Sequence, residues 1–136
     1  MDGPSPARLY ASLGGAALVI AGIVGFFYSA SFGSPGEVDE VFGVFAVNGW
    51  DNVLHVLTGA IGLIAADYAS RRYAFWIGAF YFVFAFWGFS LGSGEAVLGF
   101  LPVNTGDNLL HLAFGVLGIL AARATPVARK SAPATA

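Results

Sequence analysis

The sequence predicts an all-α fold, a four-helix transmembrane bundle. It is built from two parallel two-helix repeats related by a pseudo-twofold axis along the membrane normal, with both termini cytoplasmic. Three observations carry this expectation. Only 10% of the 136 residues are charged and 57% are apolar, whereas soluble domains carry about 25% charged residues. Long uncharged runs alternate with short polar connections. A motif of fifteen residues occurs twice.

The first uncharged run, Leu9 to Gly36, has an apolar part that ends near Tyr28, giving a span at about 9–28. Arg8, the apolar run and Ser29-Ala30-Ser31 loosely fit a secretory signal, but the repeat needs this segment as a helix. A second run, Tyr73 to Gly94, gives a span at about 73–91. Between Asp51 and Asp67, and between Asp107 and Arg123, only fifteen residues are uncharged. Crossing a bilayer takes roughly 20 residues. These two segments reach that length only if the preceding polar residues are helical, giving spans at about 48–68 and 104–122. The expected organisation is one transmembrane domain, 1–122, with repeats 9–67 and 72–122. A Pro/Ala-rich flexible cytoplasmic tail follows at 123–136.

Charge sets the direction. Arg8 precedes the first span, Arg71 and Arg72 lie between the second and third, and Arg123, Arg129 and Lys130 follow the fourth. The other two connections hold Glu37, Asp39, Glu40, Asp51, Glu95 and Asp107 and no basic residue. Basic residues favour the cytoplasmic side, so the expected location is a bacterial inner membrane, N-in and C-in. The net charge of −2 and the lack of a basic tract exclude nucleic acid as a partner. Without cysteine there is no disulfide, thiolate metal site or Cys nucleophile.

The duplicated element reads V-x-G-x-x-x-V-N-x-x-D-N-x-L-H, from Val41 to His55 and from Val97 to His111, with Gly four and seven residues further on in both copies. The first and third spans also match: Tyr10, Ala11, Gly15, Gly25 and Phe26 align with Tyr73, Ala74, Gly78, Gly88 and Phe89. The first outer connection is longer by seven residues. Apolar pieces within these connections, Val41 to Val47 and Ala96 to Val103, are expected at or in the membrane interface.

At helical spacing Asn48, Asn52, His55, Gly59, Gly62 and Ala66 form one face, and Asn104, Asn108, His111, Gly115, Gly118 and Ala122 repeat it. Small residues let helices approach in lipid, so the expected packing sets the second and fourth spans against each other, flanked by the first and third. Asn48 and Asn104 are good N-caps, with Asp51 and Asp107 at the capping-box position. Together with Asn52 and Asn108 they form a structural polar seam. The same face also offers a candidate metal site, His55, His111, Asp51 and Asp107, suited to a divalent ion or, less well, a haem. Alternatively each aspartate orients its histidine. The third span is rich in aromatic rings, expected to face lipid. No catalytic pattern is present, so no enzyme activity is expected.

On its doubled V-N-x-x-D-N-x-L-H motif the chain resembles a bacterial family of small four-helix membrane proteins known as a domain of unknown function. The resemblance covers roughly Tyr10 to Ala122 and implies fold and membrane location only. The expected function is that of a non-enzymatic scaffold or accessory subunit of a membrane complex. Its partners would be the lipid bilayer and either copies of itself or a larger assembly. The alternatives are a metal- or haem-binding protein and a small ion or proton transporter.

Overall fold

Four apolar segments, three of them opened by a serine or asparagine cap, fold as helices in a computed structural model that describes residues 3–34, 38–92 and 94–127. Helix α1, Pro6–Phe26, starts with Ser5 as N-cap and proline at its first position, where the missing N–H costs nothing. It contains a π-helical turn at Tyr10–Gly14. Helices α2 (Gly49–Ala65), α3 (Ser70–Ser90) and α4 (Thr105–Ala124) follow. Three of them, α1, α3 and α4, are long and apolar enough to cross a membrane. Helix α2 has 17 residues, about 26 Å at 1.5 Å per residue. The expected tail at 123–136 lies outside the described residues from 128 onward, and α4 itself extends to Ala124.

The two connections expected to be short apolar pieces are β-hairpins. Strands β1 (Asp39–Val41) and β2 (Phe45–Val47) pair antiparallel, as do β3 (Ala96–Val97) and β4 (Leu101–Pro102). Each turns through two residues with positive φ, Phe42 and Gly43 in one and Leu98 and Gly99 in the other. That twist suits a tight hairpin. The V-x-G of the motif is therefore a turn signature, with the glycine at its second left-handed position. Phe42 and Leu98 leave their side chains exposed at the tips.

Packing runs within each hairpin of helices: α1 lies along α2, and α3 along α4. Glycines set the approach. A Cβ on Gly15 would come within 2.8 Å of the Gly59 carbonyl oxygen, and one on Gly78 within 2.9 Å of that of Gly115. Higher up, Gly25 faces the side-chain amide of Asn52, and Gly88 faces that of Asn108, so closely that a Cβ would overlap either oxygen. The glycine Cα–H groups lie against oxygens that no N–H or O–H reaches, the arrangement of a weak Cα–H···O contact.

This corrects the expectation that the glycine faces of α2 and α4 meet. Each glycine face is used inside its own hairpin and by one tyrosine from the other. Gly62 is covered by Tyr73 of α3, and Gly118 by Tyr10 of α1. The space between α2 and α4 holds rings instead: His55, His111, Tyr81 and Phe114. The physical reason is that glycine allows backbones to touch, and the closest crossings here are those between chain neighbours.

The end of the bundle opposite the hairpins is sewn with alanine. Ala7, Ala74 and Ala122 pack together, as do Ala11, Ala65, Ala66 and Tyr73. Thr125 accepts from the Ala7 N–H at 2.9 Å, and the Arg71 Nε donates to the Ala122 carbonyl at 3.1 Å. An exposed Arg8–Asp67 ion pair bridges α1 and the α2–α3 connection at 2.6 Å.

Replacing Gly25 with alanine is expected to destabilise the protein by about 1–3 kcal/mol, the usual cost of overpacking, while Gly3→Ala, in open space, leaves it unchanged. Thermal unfolding in mild detergent measures both. Equal melting temperatures would show that the α1–α2 crossing tolerates a methyl group.

Candidate functional site

The site is built from the polar residues of α2 and α4 and the rings that α3 places between them. Asn48 and Asn104 open the two helices. The Asn48 Oδ1 accepts from the Asp51 N–H at 3.0 Å, and the Asn104 Oδ1 from the Asp107 N–H at 3.1 Å. The other half of each amide reaches across to the opposite hairpin. Asn48 Nδ2 donates to the Phe100 carbonyl at 2.7 Å, and Asn104 Nδ2 donates to the Val44 carbonyl at 2.8 Å. Val44 and Phe100 hold the same place in the two copies of the motif. Each cap therefore fastens the other half's turn. Serine, threonine or aspartate caps a helix as well, but none of them offers an amide N–H₂ beside an acceptor.

The two aspartates have different surroundings. The Asp107 Oδ2 accepts from the Asn104 N–H at 3.0 Å, closing a capping box, and from the Ala46 N–H of β2 at 2.9 Å. The position matching Ala46 in the second copy is Pro102, which has no N–H to offer. Asp51 instead lies with its Oδ2 3.3 Å from Nδ1 of His55. Asp51 is 3% exposed and His111 5%. The His55 and His111 rings stand 6.0 Å apart between centroids. His111 is also packed by Tyr81 at 5.1 Å and edge-on by Phe84 at 5.2 Å. Its Nδ1 is buried without a hydrogen-bond partner.

Tyr81 is the largest fully buried side chain. Its hydroxyl lies 3.3 Å from Thr58 Oγ1. Thr58 directs its own proton to the Leu54 carbonyl at 2.8 Å, so Tyr81 is the donor. Below this pair the Tyr73 hydroxyl donates to the Thr58 carbonyl at 3.0 Å, and the Tyr10 hydroxyl donates to the Phe114 carbonyl at 3.1 Å. Thr58 and Phe114 are matching positions, as are Tyr73 and Tyr10. These two bonds are copies of one tie.

The structure thus places Asp51 on His55 and His55 beside His111, and fastens Asp107 to two backbone N–H groups. Among the described residues no three of His, Asp and Glu are arranged to hold a metal ion, so the expected four-ligand divalent site is not assembled. Tyr81 and Phe84 pack directly on His111. Of the four asparagines, Asn48 and Asn104 tie helix to opposite hairpin. Asn52 Nδ2 donates to the Ser29 carbonyl at 2.8 Å within its own half, and Asn108 lies on Gly88.

Sequence reasoning missed Tyr10 and Tyr73 as interior polar groups. The α3 rings were expected to face lipid. Phe75, Trp76, Phe86, Trp87 and Phe89 are exposed, but Tyr73, Tyr81 and Phe84 are core. A usable signal existed: Tyr10 and Tyr73 recur at the repeat offset, beside glycines that recur with them.

An apolar groove of about 620 Å³ runs between α2 and α3 beneath the second hairpin, bounded by Trp50, Trp76, Trp87 and Phe100. The Trp50 indole N–H is held by the Phe32 carbonyl at 2.9 Å.

A family model described as Domain of unknown function (DUF4383) matches residues 8–124 and, in a second match, residues 89–135. No curated protein and no solved structure matches the chain. The chain belongs to that family.

Replacing Asn48 with serine is expected to keep the helix cap and lose the clamp on Phe100, a loss of about 0.5–1.5 kcal/mol. Asn48→Ala loses the cap too, adding about 1 kcal/mol. Chemical denaturation of the two variants in detergent resolves the two steps. Identical stabilities for serine and alanine would mean the cap contributes nothing.

Proposed function

We propose that this member of the family is a non-enzymatic, four-span protein of the bacterial inner membrane that serves as a scaffold or accessory subunit. Its partners are the lipid bilayer and either further copies of itself or a larger membrane complex. The single observation that supports this best is the use made of the polar groups: Asn48, Asn52, Asn104 and Asp107 all make bonds that tie helices and hairpins together. Meanwhile the exposed surface of α3 is mostly aromatic, with Phe75, Trp76, Phe80, Phe86, Trp87 and Phe89 around Val83, the kind of face that lipid or another membrane helix covers.

In this reading α2 crosses with the other three helices. Its 17 residues fall somewhat short of the roughly 30 Å hydrocarbon core, and the hairpin above it completes the crossing. Backbone outside a helix is tolerated near membrane depth when its polar groups are met by protein, and the clamps from Asn48 and Asn104 meet two of them. The exposed apolar tips at Phe42 and Leu98 then lie in the outer interface. The paired ties Asn48–Phe100 with Asn104–Val44, and Tyr73–Thr58 with Tyr10–Phe114, support a pseudo-twofold axis along the membrane normal. The basic residues Arg8, Arg71, Arg72 and Arg123 support N-in, C-in. Transport is the weaker reading, because the hydroxyls of Tyr10, Tyr73 and Tyr81 are each committed to a partner within the protein.

Two measurements test this. Single cysteines at Ser5, Gly43, Tyr68, Gly94 and Val127 are expected to react with an impermeant thiol reagent from outside only at positions 43 and 94. Labelling of Tyr68→Cys from outside would overturn the crossing of α2. Native mass spectrometry of gently solubilised membranes is expected to find the chain in an assembly larger than one copy, and a monomer throughout would remove the scaffold reading.

A further inference from the structure

We propose that His55 and His111 form a two-coordinate site for one soft monovalent cation, Cu(I) or its surrogate Ag(I), with Asp51 as the positioning residue. The inference goes beyond the scaffold reading and stands on separate observations.

The two halves of the protein serve as each other's control. Where they match, the polar groups tie the fold together. Where they differ, the polar departures from the repeat gather around His55. Pro102 replaces the N–H donor that would hold Asp51 as Ala46 holds Asp107. Thr58 of the first half stands where the second half has Phe114, and Tyr81 of the second half stands where the first half has Leu18. Both positions are thus filled by an apolar residue in the other half. A buried hydroxyl or carboxylate is costly in an apolar setting unless it is bonded. The Thr58 and Tyr81 hydroxyls meet that need with each other and the Leu54 carbonyl, which leaves the Asp51–His55 pair and the neighbouring His111 as the polar groups that the fold does not account for.

These groups have the parts of a metal site. A metal-bound histidine commonly gives its second nitrogen to a carboxylate, which fixes the ring. The Asp51 Oδ2, 3.3 Å from His55 Nδ1, is in that position and leaves the other nitrogen of His55 for a ligand. His111 carries a buried Nδ1 with no partner, and an unsatisfied buried polar atom in a native protein calls for an explanation, of which a bound ion is one. An imidazole nitrogen binds such metals at about 2.0 Å, and the ring centroid lies about 1 Å behind it, so a linear pair spans about 6 Å. The two centroids are 6.0 Å apart.

Coordination number and charge choose the ion. Tyr81 and Phe84 pack against His111 and offer a metal no ligand beside the two imidazoles. Among the described residues no third His, Asp or Glu completes a group. Zinc and other divalent ions need more ligands than two, whereas a closed-shell monovalent ion is content with a pair of imidazoles. Asp51 is the carboxylate at hand, since Asp107 is held by two backbone N–H groups. One negative charge beside one positive charge leaves the buried site neutral, as a membrane interior requires.

The test uses the full chain, untagged, in mild detergent, with Cu(I) supplied from a chromophoric chelator. The folded protein is expected to withdraw one Cu(I) per chain, and Ag(I) to displace it, with equimolar Zn(II) having no effect. His55→Gln and His111→Gln should each lose the site, Asp51→Asn should weaken it about 10–100-fold, and Asp107→Asn should leave the affinity unchanged. X-ray absorption at the copper edge of the wild type needs no variant and should give two nitrogen ligands of imidazole type. The proposal is overturned if the folded wild type takes no Cu(I), if both histidine variants retain it, if Zn(II) competes at equal concentration, or if the absorption spectrum shows three or more ligands.

Discussion

Asn48 and Asn104 each act in two directions, and the closure of the bundle depends on it. One half of the amide caps a helix start by accepting the N–H of its third residue; the other half holds a turn that belongs to the opposite repeat. A helix start leaves N–H groups without partners, and a hairpin turn leaves carbonyls in the same condition. An orphaned backbone group in hydrocarbon costs several kcal/mol. One side chain removes one orphan of each kind, and it does so between halves, so neither repeat is complete without the other.

The same exchange recurs lower in the bundle with different chemistry. Tyr73 and Tyr10 each cross to the opposite helix pair, cover a glycine and donate to a carbonyl one turn above it. In both layers a short-range contact holds the hairpin of helices, and a long-range hydrogen bond joins the two hairpins. Glycine supplies the first because it lets backbones touch. Tyrosine and asparagine supply the second because they carry a donor far enough to span the gap. The centre of the bundle, around Tyr81 and the two histidines, is where the halves stop being alike.

Much of this was legible in the sequence and some was not. The run lengths placed the helices, and the doubled motif marked Asn48, Asn104, His55 and His111 as residues with a common task. The glycine periodicity correctly gave a packing face but not the neighbour it meets: α2 and α4 carry the same face and yet do not use it on each other. A pattern along one helix fixes which side is buried and is silent on the partner. The hairpins were hidden for a related reason. Phe42 and Leu98 adopt positive φ at exposed turn tips, where bulky residues are uncommon, so propensity argued against the turn that the following glycine permits.

The sequence by itself determined that the chain is apolar, helical, internally repeated and capped by asparagine, because composition, run length and spacing are local properties. Tertiary structure alone decided what those residues face. It set Asp107 on a backbone N–H that Pro102 cannot match for Asp51, turned Asp51 toward His55, and enclosed His111 among rings. Those outcomes depend on which carbonyl, N–H or ring arrives from another part of the chain, and no spacing within one helix encodes that arrival.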